Sequence, residues 1–315
     1  MWDLRWTGEG VLAATTDQSQ VEVWNTESGI CETRLDGEGH GVEIAHGGGH
    51  TWVNVQRFRP GSQFPIRYSV VYLLTPSGLK KLREYECEVI VAASSGGTLL
   101  CQSFEVHDRS KPNHSEILSP EGDVLLRSGG DVSPLWGKSL RLDGDVAHYF
   151  LTGPRKGSEG GKRLVRIPPS GKTEVVMAWD VGGEVWVRSV ARFVAEDSII
   201  RCSKLYHPHP GKGAVVLERG DFRQGKKRAA KQRWRKHFGS AVSAMDVAGT
   251  WCACLLADGK LAIRDVDSGE LLSEFALTLE GTATYGTAIA IQGGTLAVGT
   301  ICGRILLYRV TTASE

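Results

Sequence analysis

The chain has 315 residues, a formal net charge of +1 and an apolar share of 41%, which is enough to form a packed core. This composition excludes a disordered chain, and the 39 glycines and 11 prolines favour a fold with many turns. The seven cysteines include no Cys-x-x-Cys pair, which indicates free thiols in a reducing compartment.

The N-terminal residues predict three strands and a tight turn. Met1–Trp6 occupies the place of an innermost strand, and its acid and base replace the apolar run that a signal peptide needs. Val11–Asp17 is rich in small and apolar residues, and Val21–Trp24 alternates between apolar and polar residues. The turn Thr26–Gly29 follows, and glycine supplies its positive φ.

The same turn returns along the chain at a nearly constant step. Its glycines are separated by 49, 44, 49, 49 and 49 residues and are Gly29, Gly78, Gly122, Gly171, Gly220 and Gly269, of which Gly220 has the weakest turn signature. Further short strands are predicted at Lys172–Met177, Cys252–Asp258, Leu261–Arg264 and Glu270–Phe275. The uncharged stretch Gly281–Cys302 holds five glycines and five threonines, so it predicts strands rather than a membrane helix. Groups of four short strands at a fixed step predict an all-β propeller.

Three segments resemble the ends of WD40 repeats: Thr15–Gly29, Leu256–Leu272 and Thr300–Ser314. In the first, Trp24-Asn25 stands in the place of Trp-Asp, and in the second Arg264 replaces the tryptophan while Asp265 is kept. The resemblance implies an all-β, seven-bladed propeller that scaffolds other macromolecules. We expect one domain over 1–315, with blades at 1–39, 40–86, 87–131, 132–181, 182–239, 240–279 and 280–315.

The last blade is predicted to lack its outer strand. The seventh copy reaches its turn at Ala313, and Met1–Trp6 already serves as the inner strand of blade one. We therefore expect an unpaired, apolar edge strand that binds a partner, formed by Arg304, Ile305, Leu306, Leu307, Tyr308, Arg309 and Val310. Two interpretations stay open: a three-stranded blade or truncated chain, and a strand that a partner donates in trans.

Basic residues are unevenly distributed along the chain. The run 223–236 contains eight bases and no acid: Arg223, Lys226, Lys227, Arg228, Lys231, Arg233, Arg235 and Lys236. Four insertions between the second and third strands of blades two to five add nine more: Arg59, Arg67, Arg109, Lys111, Arg155, Lys156, Lys162, Arg163 and Lys212. The strand order predicts that all five segments lie on one basic face that contacts a polyanion, with Trp234 stacking on a base. A solvated loop or a nuclear import signal is the alternative for the 223–236 run.

The remaining groups of histidines and cysteines favour structural roles over metal binding or catalysis. His40, His46 and His50 flank a flexible Gly47-Gly48-Gly49 segment at spacings that match no metal motif, which favours an inter-blade loop. Cys252 and Cys254 point to one face of a strand and are assigned to the core. The sequence contains no nucleophile elbow, phosphate loop, zinc-protease motif or dinucleotide fingerprint.

These observations predict a non-catalytic scaffold subunit of an intracellular assembly, cytoplasmic or nuclear, without metal or cofactor. We expect protein partners, a polyanion at the basic face and no membrane. A nucleic-acid-binding or ribonucleoprotein component is the alternative function, and an enzyme assembled on propeller loops is the third.

Overall fold

The computed structural model describes residues 3–16, 20–36, 42–58, 67–104, 113–130, 139–152, 162–179, 189–204, 215–221 and 231–310. These residues form 29 β-strands and contain no helix. Six sheets have four antiparallel strands in chain order, a seventh has three, and a short two-stranded hairpin lies between the sixth and seventh. The fold is therefore a seven-bladed β-propeller, as the sequence predicts.

The first three blades occupy residues 3–130. Blade one contains β1 (Asp3–Gly8), β2 (Val11–Thr15), β3 (Gln20–Asn25) and β4 (Ile30–Asp36). Blade two contains β5 (Val42–Gly47), β6 (His50–Phe58), β7 (Arg67–Thr75) and β8 (Gly78–Tyr85). Blade three contains β9 (Glu88–Ala93), β10 (Leu99–Phe104), β11 (Asn113–Leu118) and β12 (Val124–Gly130).

The other four blades follow the same order. Blade four contains β13 (Ser139–Leu140), β14 (His148–Thr152), β15 (Lys162–Ile167) and β16 (Glu174–Trp179). Blade five contains β17 (Ser189–Ala195), β18 (Ser198–Lys204), β19 (Val215–Asp221) and β20 (Lys231–Phe238). Blade six contains β21 (Val242–Ala248), β22 (Trp251–Leu256), β23 (Lys260–Asp265) and β24 (Leu271–Ala276). After the hairpin β25 (Thr278–Leu279) and β26 (Thr282–Ala283), blade seven contains β27 (Gly286–Gln292), β28 (Thr295–Thr300) and β29 (Ile305–Arg309).

Five of the six predicted turn glycines adopt the left-handed conformation that the turn requires. Their φ values are 71° at Gly29, 127° at Gly78, 101° at Gly122, 77° at Gly171 and 72° at Gly269. The prediction at Gly220 is wrong, because this residue lies inside β19 and is paired with Ile199 on one side and Gln232 on the other. The connection between β19 and β20 falls at residues 222–230, outside the described residues.

The hydrophobic core is divided among the seven junctions between neighbouring blades. Because side chains alternate along a strand, each blade presents one face to the preceding blade and the other to the next. At six junctions an apolar side chain from the fourth strand packs against the following blade. These side chains are Leu35, Tyr85, Leu126, Met177, Trp234 with Phe238, and Phe275.

The ring closes where blade seven meets blade one. Ala288, Ala290 and Ala297 pack against Leu4 and Leu12, with Trp24 and Ile305 at the edge of this cluster. Among the described residues, this junction has no fourth-strand side chain, and it is held by inner and middle strands.

The hairpin turns of blades two and three are in close contact. The expectation that His46 and His50 flank an inter-blade loop is wrong, because both lie in strands of blade two: His46 is the next-to-last residue of β5, and His50 begins β6. A Cβ atom on Gly48 would lie 2.3 Å from the main chain of Gly97, and Gly48 has a φ of 57°. Glycine is therefore required at position 48 by both space and conformation. His40 lies outside the described residues.

Candidate functional site

The basic segments fall in two places on the propeller rather than on one face. The four insertions connect second and third strands, as predicted: β6 to β7, β10 to β11, β14 to β15 and β18 to β19. The segment 222–230 connects the third strand of blade five to its fourth. In an antiparallel sheet these two kinds of connection leave from opposite ends of the strands. The predicted single basic face is therefore wrong.

We call the rim that carries the second-to-third connections the insertion rim, and the other the hairpin rim. Described strand ends at the insertion rim include Arg67, Lys162 and Lys204, and Arg163 follows directly. Asp221 and Lys231, which flank the segment 222–230, lie at the hairpin rim. The predicted residues Arg59, Arg109, Lys111, Arg155, Lys156, Lys212, Arg223, Lys226, Lys227 and Arg228 lie outside the described residues.

Trp234 is a core residue and not an exposed stacking platform. Its relative exposure is 8%, and its ring lies between blades five and six, where a Cβ atom on Gly269 would come within 2.7 Å of it. The indole Nε1 donates a hydrogen bond of 2.9 Å to the carbonyl of Val266. The predicted contact with a base is therefore not open to this side chain, because alternation along β20 turns it inward while Arg233 and Arg235 stay exposed.

The cations of β20 are partly used in ion pairs. Arg233 binds the carboxylate of Asp221, and the Lys236 Nζ lies 2.5 Å from an oxygen of Glu270 in blade six. The pKa of Asp221 is lowered: burial opposes ionisation, but hydrogen bonds from Arg233 and Ser198 and the charge of Arg233 outweigh it. Within the described part of the chain, Lys231 and Arg235 are exposed and form no ion pair.

The edge strand of blade seven lies where the sequence predicts it. β29 pairs only with β28 among the described residues, from Ile305 opposite Gly299 to Arg309 opposite Thr295. Leu306 and Tyr308 face blade six, whereas Ile305 faces blade one. Leu307 is 42% exposed, and Arg304 and Arg309 are exposed. Within the part of the chain that the structure describes, the outer side of β29 therefore offers unpaired main-chain groups next to apolar and cationic side chains.

Blade one lies across from β29, on the other side of the space that a fourth strand of blade seven would occupy. Trp24 is half-buried, and its Nε1 donates a hydrogen bond of 3.1 Å to Glu22. The Glu22 carboxylate also pairs with Arg34 at 2.8 Å, and Arg34 remains 58% exposed.

A polar cavity with charged side chains, which the sequence did not predict, lies at the centre of the ring. A cavity of about 660 Å³ is lined by residues of all seven blades. Two ion pairs lie within the lining, Arg192 with Asp246 at 2.8 Å and Arg141 with Asp143 at 2.8 Å. The third arginine of the lining, Arg5, pairs at 3.6 Å with Asp3, which is not itself a lining residue. Burial alone would lower the pKa of Arg5, but Asp3, Asp246 and Glu43 outweigh it and raise that pKa. Each of these three arginines has an acidic partner, which favours a structural role for the cavity over an anion site.

Three acids of the inner strands, Asp3, Glu43 and Asp246, also connect neighbouring blades. Asp3 accepts a hydrogen bond of 3.1 Å from the amide of Ile44, and Asp246 accepts one of 2.9 Å from the amide of Ile291. Glu43 accepts a longer one, 3.4 Å, from Val91. An acidic residue inside an inner strand, such as Glu43 in β5 and Asp246 in β21, is the sequence signal for such positions.

The buried thiols and imidazoles are structural in their surroundings. Cys252 and Cys254 are both fully buried in the core, as expected, and their Sγ atoms are 3.8 Å apart. His148 is also fully buried, with Nε2 3.2 Å from the carbonyl of Thr98, and burial lowers its pKa to about 4. In the described segments, no group of three or more His, Cys, Asp or Glu side chains is placed to hold a metal ion.

Comparisons with known proteins support the fold. No protein-family model matches the sequence, and no curated protein matches it. The crystal structure of the β-propeller domain of Cps50 (Swd1) from Myceliophteria thermophila is similar, with a TM-score of 0.68 at 12% identity, over 98% of this chain and 97% of that one. The described residues include no helix of the length and apolar character that a transmembrane span requires.

Proposed function

We propose that this chain is a non-catalytic, WD40-like scaffold subunit of a macromolecular assembly, acting in the cytoplasm or nucleus as a single propeller domain. The observation that supports it most directly is the outer edge of β29, which pairs with no other strand among the described residues and offers a strand-pairing surface. Such edges are normally covered in proteins, and recruiting another strand is a common way to cover them. The WD40-like segments at both ends of the chain support the scaffold class.

Native capture tests the scaffold proposal. The tagged protein is expressed in its own cells, recovered under gentle conditions and analysed by size-exclusion chromatography and mass spectrometry. We expect it to elute in a complex with partners in fixed stoichiometry. Elution of all of the protein as a free 34.2 kDa species from native extract would contradict a scaffold role.

We further propose that the insertion rim contacts a polyanionic partner. Four insertions with nine bases and two acids leave from this rim, and Lys204 at the end of β18 adds another base at the same rim. Lysine and arginine on adjacent loops suit phosphates or carboxylates, because each contact releases counterions. A nucleic acid is the second candidate for this partner, because its phosphates are among the anions that such a set of bases binds.

Two variants of equal charge separate the rims. The first replaces Arg109, Lys111, Arg155 and Lys156 with alanine at the insertion rim, and the second replaces Arg223, Lys226, Lys227 and Arg228 at the hairpin rim. Binding to labelled single-stranded RNA and to polyglutamate is measured by fluorescence anisotropy at several salt concentrations. We expect only the first variant to bind more weakly, with a salt slope that is smaller by about three for a single strand.

The two probes distinguish the partners. RNA binding that exceeds polyglutamate binding at equal salt favours the nucleic-acid function, whereas equal binding favours a general polyanion contact. Equal losses in both variants would show a response to net charge alone and would remove the insertion rim as a site.

A further inference from the structure

Blade seven and blade six have matching strand registers, so blade six shows what a fourth strand would contact in blade seven. β22 pairs with β23 from Trp251 opposite Asp265, and β28 pairs with β29 from Thr295 opposite Arg309. Each of these pairings follows a tight inner hairpin. The correspondence matches Lys260 with Arg304, Leu261 with Ile305, Ala262 with Leu306, and Arg264 with Tyr308.

The charges around the open edge indicate an acidic occupant. In blade six, Lys260 is paired with Glu274 of the fourth strand at 2.9 Å. Its counterpart Arg304 is exposed, and so is Arg309 at the other end of β29; in the described part of the chain neither forms an ion pair. An incoming strand with an acid opposite Leu306 would reproduce the blade-six contact.

The space between β29 and Trp24 of blade one indicates a large apolar side chain in the incoming strand. Phe275, opposite Leu261, packs against Tyr308 of the next blade with ring centroids 5.5 Å apart. The equivalent residue of an added strand would lie opposite Ile305 and pack against Trp24. That contact would give the last junction the apolar side chain that fourth strands supply at the other six.

A second copy of the chain fits this edge poorly. Antiparallel pairing of β29 with β29 of another copy would bring Arg304 near Arg309 of that copy at both ends of the strand, and like charges opposite one another are destabilising.

We propose that blade seven binds an extended segment of a partner protein as its fourth strand, with an acid opposite Leu306 and an aromatic or large aliphatic residue opposite Ile305. This proposal rests on the scaffold function above and names the chemistry of its partner. The incoming strand runs antiparallel to β29, hydrogen-bonds to its main chain, pairs its acid with Arg304 and packs its apolar residue on Trp24.

The chain itself contains a suitable probe. The peptide Gly-Glu-Leu-Leu-Ser-Glu-Phe-Ala, which is the sequence of residues 269–276, carries the acid and the aromatic residue in the required register. It is added to the purified 315-residue protein, and hydrogen exchange of residues 304–310 is followed by mass spectrometry. We expect exchange in β29 to slow by about tenfold or more at saturating peptide, with little change in β23.

Matched controls test each contact. Peptides with lysine in place of the second glutamate, or alanine in place of phenylalanine, should protect β29 less at the same concentration. Arg304→Glu should weaken binding of the original peptide about threefold, as expected for an exposed ion pair, whereas Arg235→Glu, an equal change in blade five, should leave it unchanged.

Several results would overturn the proposal. They are the absence of protection in β29 with excess peptide, equal protection by the altered peptides, and a β29 that is already as protected as β23 without peptide. In the last case, dependence on protein concentration would identify a second copy as the occupant, and independence would identify the chain itself. The scaffold function fails separately, when native capture recovers no partner; the edge proposal alone fails when the double variant Arg304→Glu/Leu307→Glu recovers the same partners as the wild type.

Discussion

Replacing Trp234 with alanine separates a structural from a binding role for the basic run. The side chain is 8% exposed and fills the junction between blades five and six, so its loss should cost about 3–5 kcal/mol of unfolding free energy. The carbonyl of Val266 would keep a donor, because the Arg219 Nη1 also hydrogen-bonds to it at 3.1 Å. The cavity is therefore the main cost.

The expected change is measurable by calorimetry. For 315 residues the entropy of unfolding is about 0.7 kcal/mol per degree, so the Tm should fall by about 4–7 °C. The double variant Arg233→Ala/Arg235→Ala changes exposed neighbours and should alter the unfolding free energy by less than about 1 kcal/mol. RNA binding of the folded Trp234→Ala protein should equal that of the wild type. An unchanged Tm together with tenfold weaker RNA binding would refute this reasoning and restore the side chain as a stacking platform.

Three further changes test the junctions and turns. Asp246→Ala removes the partner of Arg192 and of the Ile291 amide and should cost about 2–4 kcal/mol in urea unfolding, whereas exposed Asp143→Ala should cost less than about 1 kcal/mol. Because the pKa of His148 is lowered to about 4 in the folded protein, the unfolded chain takes up the proton first as the pH falls. The unfolding free energy should therefore fall by about 3 kcal/mol between pH 6.5 and pH 4. The variant His148→Gln should reduce this loss of stability, whereas the exposed-site control His237→Gln should leave it unchanged. Gly48→Ala should cost about 3 kcal/mol or more or prevent folding, whereas Gly49→Ala, with φ of 79° but no atom within 4 Å, should cost about 1 kcal/mol; equal costs would contradict the close contact with Gly97.

Much of the ring could be predicted from the sequence, because local chemistry determines the turns. Gly29, Gly78, Gly122, Gly171 and Gly269 all adopt positive φ, which residues with a Cβ rarely do. Gly220 kept the 49-residue step but lies within a strand. The insertion before β19 shifts the later strands of blade five along the chain, so the constant spacing predicted the turn at the wrong residue. For the same reason, the segment 222–230 was predicted at the wrong rim.

The candidate site was predicted only in part, because the predictions that failed concern contacts between blades. The edge strand Arg304–Val310 follows from counting strands, and the structure has β29 over Ile305–Arg309. The burial of Trp234 could not be predicted from its basic neighbours. Side chains of β20 alternate between two faces, and the sequence does not show that blade six covers the face that carries Trp234. The pair of Arg192 with Asp246 joins residues of two different blades, and no local pattern reports it.

The closure between Leu4, Leu12 and the alanines of blade seven has a consequence for biosynthesis. The ribosome completes blade one long before residues 288–297 emerge, so its apolar face, including Trp24, has no neighbour during most of translation. Contacts between residues so far apart in the chain form late and slowly, and an exposed apolar face invites chaperones or misassembly meanwhile. The newborn first blade is therefore the part of the molecule that most needs protection before the last blade docks.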